Sequence, residues 1–296
     1  MPMSRRGWIL FIAMSVIWGI PYLLIRIAVR DFSPPALVFA RTLPAAVLLL
    51  PIAVHRGELR PALRYWRWVV LFAAVEMVLP WFFLSSAEEH LASSTAGLLI
   101  ASVPLIAAVV YPIVSPGTDR LDRRRLTGLL VGFAGVAALV GIDVHGTDMR
   151  AVAEMIVPAI GYAFGPLIIN RRLSDAPNIG VMGLSVAVVA LVYATPGVKD
   201  WPTNVGAEEW AAVATLAFVC TALAFVLMFE LINEVGPARS TIITYVNPAV
   251  AVLLGVAVLG EPFTVGIAVG FPLILVGSAL ATRGSAQTEA DAEVAR

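Results

Sequence analysis

Apolar runs of about twenty residues, separated by short polar connections, dominate this chain. A bilayer-spanning helix needs about 20 mostly apolar residues. The pattern predicts ten such helices, over 7–29, 34–54, 68–87, 92–114, 126–142, 151–170, 178–195, 210–232, 238–258 and 264–282. The longest connections, around 55–67, 115–125 and 196–209, carry the polar residues. The first run follows two arginines, as a signal sequence would. It outlasts the usual core of about 7–15 residues and ends in no small-x-small cleavage site, so it reads as a helix that stays. Residues 283–296, RGSAQTEADAEVAR, are small and polar and read as a disordered cytoplasmic tail.

Basic residues test the count. With the N-terminus inside, the inner segments hold fifteen arginines: Arg5, Arg6, Arg56, Arg60, Arg64, Arg67, Arg120, Arg123, Arg124, Arg125, Arg171, Arg172, Arg239, Arg283 and Arg296. The outer segments hold three basic residues, Arg30, Arg150 and Lys199, and Arg26 and Arg41 fall inside helices. That asymmetry fits the positive-inside bias with both termini cytoplasmic, and one helix more or fewer would spoil it.

The chain also repeats weakly. SSTAGLLIASVPLIAAVV around Pro104 aligns with ARSTIITYVNPAVAVLL around Pro248 at a shift of 144, and GLLVGF aligns with GIAVGF at a shift of 138. Near the start of each half, WGIPYLLIR (18–26) meets FGPLIINRR (164–172). The halves would be 7–142 and 151–282, with five helices each. Five is odd, so the second half enters the membrane the other way up, an arrangement common in transporters. Chance alignment of glycines and prolines in an apolar chain is the alternative. The predicted fold class is an all-α integral membrane protein of ten transmembrane helices in two inverted five-helix repeats.

Composition narrows the function. The chain is 59% hydrophobic and 14% charged, with a mean hydropathy of +0.89, against the roughly 25% charge that a soluble domain carries. Lipid must cover most of its surface, so the bilayer is its first partner. Charge is balanced, which argues neither way on nucleic acid, and no nucleic-acid partner is expected. Cys220 reads as a packing residue, and His55, His90 and His145 fall far apart in polar connections. No G-x-x-x-x-G-K-[ST], H-E-x-x-H or C-x-x-C occurs. No cofactor, metal or enzymatic activity is expected.

Three stretches resemble the EamA-type, ten-helix branch of the drug/metabolite transporter superfamily. They are WGIPYLLIRIA followed by SPPALVFAR, the helices centred on Pro104 and Pro248, and LGEPFTVGIAVGFPLILVG at 259–277. The resemblance spans roughly 8–282. It departs where the second half has Glu261 and the first only GTDRLDRRR. It implies a secondary carrier of small metabolites, often an exporter in the bacterial plasma membrane. The bundle would have a central cavity lined by helices one, three, four, six, eight and nine, with five and ten peripheral. It does not fix the substrate: members handle amino acids, nucleotide sugars, sugar phosphates and cationic drugs.

Candidate chemistry lies where polar or helix-breaking residues interrupt the apolar runs. Pro21 removes a donor and clashes with the carbonyl of Ile17. A freed carbonyl in a bilayer is tolerated only against protein or a water-lined cavity. Gly19 and Pro21 therefore suggest a kinked cavity wall, with Trp18 and Tyr22 as i, i+4 neighbours on one face; an ordinary packing kink is the bland alternative. Pro104, Pro166 and Pro248 are further candidate hinges. Tyr245, Asn247 and Trp81 are candidate pathway residues. Glu76, near the centre of helix three, would cost at least about 2.5–3.5 kcal/mol as an ion and should face the interior. It is a candidate proton carrier or cation-binding group, or a hydrogen-bonded structural acid. Arg41 lies about 10 Å deep at 1.5 Å per residue, to bind an anionic substrate group or to pair structurally. Arg26 reads as a membrane-edge anchor. Asn170 and Glu230 fall near the inner helix ends, as candidate gate residues.

These features predict an exporter of a small polar metabolite, an amino acid or related amine, working by alternating access with protons carried through Glu76. A rival is a cationic-drug exporter in which Glu76, Trp18, Tyr22 and Trp81 hold the cation. A membrane enzyme should gather several His, Asp or Glu residues at one depth, and a sensor should append a soluble domain; neither pattern is present. Oligomeric state is not written in the sequence, and a homodimer is compatible with it. Reporter fusions should place the connections near Arg56 and Arg120 in the cytoplasm and that near Lys199 outside; the reverse pattern would refute the topology.

Overall fold

Helices fill the apolar runs. The computed structural model describes residues 3–114, 123–143 and 148–294, so Arg120 and His145 lie outside the described residues. Among the described residues, nine helices are long and apolar enough to cross a membrane: α1 Arg5–Ala28, α2 Pro34–His55, α3 Trp66–Glu88, α4 Ser93–Val114, α5 Arg123–Ile142, α6 Met149–Leu173, α7 Asn178–Lys199, α8 Ala207–Val235 and, last, α10, whose apolar part is Val265–Thr282. Between α8 and α10 lies a shorter apolar helix, α9 Ile243–Leu259. No strand occurs among the described residues. Large side chains such as Val47, Ile113, Leu191 and Leu253 lie exposed on the outside, a surface suited to lipid.

Two segments differ from the sequence reading. α9 begins only at Ile243 because the chain turns at Thr241–Ile242, where Ile242 N donates to Arg239 O at 3.2 Å and Thr244 N to Thr241 O at 3.1 Å. α10 runs on to Val294, where an irregular tail was expected. The run AQTEADAEVA is rich in strong helix formers, and extending an existing helix avoids the cost of nucleation.

The two halves interlock instead of lying side by side. α2 packs on α7, α5 on α10, α1 on α8, α3 on α6, and the first part of α4 on α9. Each is a pairing between halves, as an inverted repeat requires. Tight backbone approach holds the α5–α10 pair: a Cβ on Gly135 would fall 2.8 Å from Gly270 O, and one on Gly270 would fall 2.8 Å from Gly135 O. Small residues serve this purpose in membranes, where helices gain by packing and not by leaving water.

The helix ends sort into two sets. At one end, Arg6 pairs with Glu230 at 2.5 Å, and Glu58 Oε2 accepts from Ile179 N and Gly180 N at the start of α7. At the other, Arg30 meets Glu208 at 3.3 Å, and Asp31 Oδ2 accepts from Gly206 N at 2.9 Å. There Phe32 is wedged between Trp201 and Trp210, with ring centroids 5.8 and 5.3 Å away. The sorting matches the alternation of the basic residues along the chain.

Gly135→Leu should lower the thermal unfolding midpoint of the detergent-solubilised protein, because overpacking costs about 1–3 kcal/mol. Gly141→Leu, where nothing lies within 4 Å of the added carbon, should leave it unchanged. Equal midpoints for both variants would mean that α5 and α10 do not pack this closely.

Candidate functional site: a buried arginine between the two halves

Regular α-helix fails where the candidate site lies. α3 contains a π turn at Ala74–Val78 and α8 one at Phe218–Leu223. Adding 144 to the first range gives 218–222, so these turns occupy equivalent places in the two halves, at the offset that relates Pro104 to Pro248. A π turn inserts a residue into the ladder and re-aims the side chains on it. In α3 it carries Glu76; in α8 it carries Cys220 and Thr221.

Arg41 of α2 meets both π-turn helices. It is only 4% exposed. Its guanidinium lies 4.0 Å from the centroid of the Trp81 ring of α3, and Nη2 donates to Thr221 Oγ1 of α8 at 3.1 Å. The Thr221 hydroxyl in turn donates to Leu216 O at 2.8 Å, five residues back across the π turn. Arg41 Nε has no hydrogen-bond partner. Among the described residues no carboxylate lies within ion-pair distance of Arg41. Cys220, Tyr162 of α6 and Glu88 at the end of α3 are its electrostatic neighbours. The arginine is thus buried between helices of both halves, with a hydroxyl and an aromatic face for partners.

Glu76 of α3 faces α6. Its Oε2 has no partner and rests against Gly165 of α6, where any Cβ would collide with it. Gly165 therefore serves as the seat of an acid from the opposite half, and Glu76 pins no helix through a hydrogen bond of Oε2. Tyr162, one turn earlier on α6, is an electrostatic neighbour of Glu76, Arg41 and Glu88, with the Trp81 side chain in hydrogen-bonding reach.

The remaining predicted residues separate. α1 is broken at Trp18–Ile20, and helix resumes at Pro21. The i, i+4 relation assumed for Trp18 and Tyr22 fails because no continuous helix joins them. Trp18 packs edge-on to Phe225 at 6.4 Å, beside Met14 and Leu231. Tyr22 is buried against Gly97. Asn247 is not free for a substrate: its amide nitrogen, suitably oriented, donates to Ser15 O at 3.0 Å and Ile243 O at 2.9 Å. Ser15 O has lost its helical donor at the break, where Gly19 N turns to Val16 O. Gly19 lets α9 approach, since a Cβ there would fall 2.9 Å from Asn247 O. Tyr245 OH shares a hydrogen bond of 2.8 Å with Thr282 of α10, tying two helices of the same half.

The prolines behave differently from one another. The helix is interrupted at Ala101–Ser102, just before Pro104. Pro248 is buried inside unbroken helix, and the interruption in that region is at Thr241–Ile242. Pro166 also lies in continuous helix, one turn before a third π turn, Ile169–Leu173, which carries the exposed Asn170. Arg26 caps the end of α3, donating from Nη1 to Glu88 O at 2.6 Å and Glu89 O at 3.0 Å. Glu230 and Asn233 line a cleft of about 200 Å³ at the Arg6 end, with Arg56, Glu58, Asn178 and Phe229. Glu261 accepts from Ser93 N at 2.7 Å and Ser94 N at 3.0 Å, capping α4 across the interface. Among the described residues no cluster of His, Cys, Asp or Glu is suited to a metal.

Sequence reasoning missed Tyr162, Thr221 and Glu88. Tyr162 and Thr221 are single polar groups in apolar runs, visible but indistinguishable from packing residues. Glu88 stands in SAEEH, which reads as the start of a connection.

Known proteins agree with this architecture. A solved crystal structure covering 96% of this chain and 98% of its own superposes with a TM-score of 0.65 at 21% identity, which bears on the fold alone. The uncharacterized inner membrane transporter YedA of Escherichia coli K12 is 30% identical over 253 residues, 84% of this chain and 81% of its own. The uncharacterized transporter YvbV of Bacillus subtilis is 23% identical over 98% of this chain and 96% of its own. A protein of Streptantibioticus cattleyicolor named probable terminal-alkyne amino-acid exporter is 25% identical over 96% of this chain and 93% of its own. The profile of the EamA-like transporter family matches twice, at residues 5–141 and 149–283. This multi-pass membrane protein therefore belongs to the EamA-like transporter family and is a transporter.

Proposed function

We propose that the protein exports an amino acid or closely related metabolite across the plasma membrane by alternating access, with both termini cytoplasmic. One observation carries the reading: Arg41 is a buried cation with no counter-ion among the described residues, stacked on Trp81 and steadied by Thr221. An unpaired charge in a low-dielectric interior costs several kcal/mol. A substrate carboxylate offsets that cost in the plane the guanidinium presents. The relative named as an amino-acid exporter supports the same class. The cationic-drug reading fares worse, because it needs the Trp81 face that Arg41 covers.

Alternating access fits the two closures. Arg30–Glu208 and the Phe32–Trp201–Trp210 wedge shut the path at one end. The cleft beside Glu230 opens at the arginine-rich end, where Arg6 bridges α1 to α8. Rocking one half on the other would exchange these contacts. Glu76, seated on Gly165 of the opposite half with Oε2 unpartnered, is the proton carrier in this scheme.

Comparing metabolites outside overexpressing and deleted cells should show an amino acid rising with expression, and proteoliposomes should then take it up. Arg41→Met should reduce that uptake about 10–100-fold, the worth of a charge-assisted hydrogen bond of ~1.5–3 kcal/mol. Arg41→Lys should recover only part of it, since lysine lacks the planar fork and the stacking face. Unimpaired uptake by Arg41→Met would exclude the arginine from substrate binding.

Glu76→Gln should leave counterflow exchange intact while abolishing the acceleration produced by a pH gradient. A full response to the gradient in that variant would remove Glu76 from proton transfer.

A further inference from the structure

Glu88 is a buried acid whose carboxyl group the fold leaves without a hydrogen bond. It closes α3, has 0% of its surface exposed, and neither carboxylate oxygen has a hydrogen-bond partner. An ionised carboxylate offers about four acceptor sites, and burying one with none filled is costly.

None of the groups around Glu88 bonds its carboxylate. Arg26 of α1 spends Nη1 on the backbone carbonyls of Glu88 and Glu89. Glu261, on the connection from α9 to α10, spends both oxygens on Ser93 N and Ser94 N. Tyr22 of α1 and Tyr162 of α6 are electrostatic neighbours of Glu88, and neither donates a hydrogen bond to it. Arg41 of α2 is also a neighbour, yet the two do not reach ion-pair distance. A buried guanidinium and a buried carboxyl group are therefore electrostatic neighbours that do not reach ion-pair distance.

We propose that Glu88 receives the ammonium group of the substrate whose carboxylate Arg41 holds, so that the two form the poles of a site for a zwitterionic α-amino acid. This rests on the amino-acid reading above and adds to it the pole that rejects N-acylated acids, as Arg41 rejects amines. A zwitterion pairs with both groups at once, whereas a simple amine leaves Arg41 unpaired and a simple carboxylate leaves Glu88 so.

The test uses the purified full-length protein and its thermal unfolding midpoint. Each of the twenty L-amino acids is titrated, and the one that stabilises most is compared with its decarboxylated amine and its N-acetyl derivative. Wild type should bind both derivatives about 10–100-fold more weakly than the amino acid. Glu88→Gln should bind the amino acid as weakly as wild type binds the N-acetyl derivative, bind that derivative as wild type does, and still reject the amine. Glu88→Asp should restore part of the loss. This pattern separates ammonium recognition from a structural defect, which would weaken all ligands together. If no amino acid stabilises wild type, the amino-acid reading falls and this inference with it. If amino acids bind but wild type accepts the N-acetyl derivative equally, or both Glu88 variants bind the amino acid as wild type does, only the role of Glu88 is refuted.

Discussion

Inside a bilayer a backbone carbonyl that loses its helical donor has no water to turn to, and the architecture of this transporter follows from how such losses are met. The break at Trp18–Ile20 frees Ser15 O, and Asn247 of the other half fills it. The π turn of α8 directs the Thr221 hydroxyl to Leu216 O. Irregular backbone at Trp18–Ile20 and in the α8 π turn thus falls where the two halves touch, and its freed groups are met there. The interlocked pairing of α1 with α8 and α3 with α6 places these irregularities together at the interface.

The same constraint explains why the candidate site is unsymmetrical although the scaffold is repeated. Equivalent π turns present Glu76 from one half and Cys220–Thr221 from the other. The first half gives an acid whose Oε2 is unpartnered; the second gives a hydroxyl that anchors Arg41. A common backbone device supports different chemistry on its two copies, and the interior holds a guanidinium at Arg41 and carboxyl groups at Glu76 and Glu88. The α5–α10 pair, closed by glycine contacts, holds the halves together without contributing polar groups to this interior.

Several sequence features acquired a structural meaning other than the one their local pattern suggests. Arg26 is a cap on α3, not a surface anchor, because the end of α3 lies beside it. Asn247 and Tyr245 are spent on Ser15 and Thr282. Pro248 lies in unbroken helix. In each case the residue type announced a polar group or a weak point, and the partner that decided its role came from another helix.

The chain by itself determined the number of helices and their alternating direction, because length, hydropathy and basic residues act locally and each run must cross the bilayer alone. It also marked Arg41 and Glu76 as exceptional, since a charge in an apolar run is visible without any knowledge of its neighbours. Only the tertiary structure decided what those charges face. The π turns re-aim side chains by a fraction of a turn that no spacing rule anticipates, and the juxtaposition of Arg41, Trp81, Tyr162, Thr221 and Glu88 draws on four helices from both halves. Burial of Glu88 depends on α1, α2 and α6 closing over the end of α3, and such long-range packing has no signature in the five letters SAEEH.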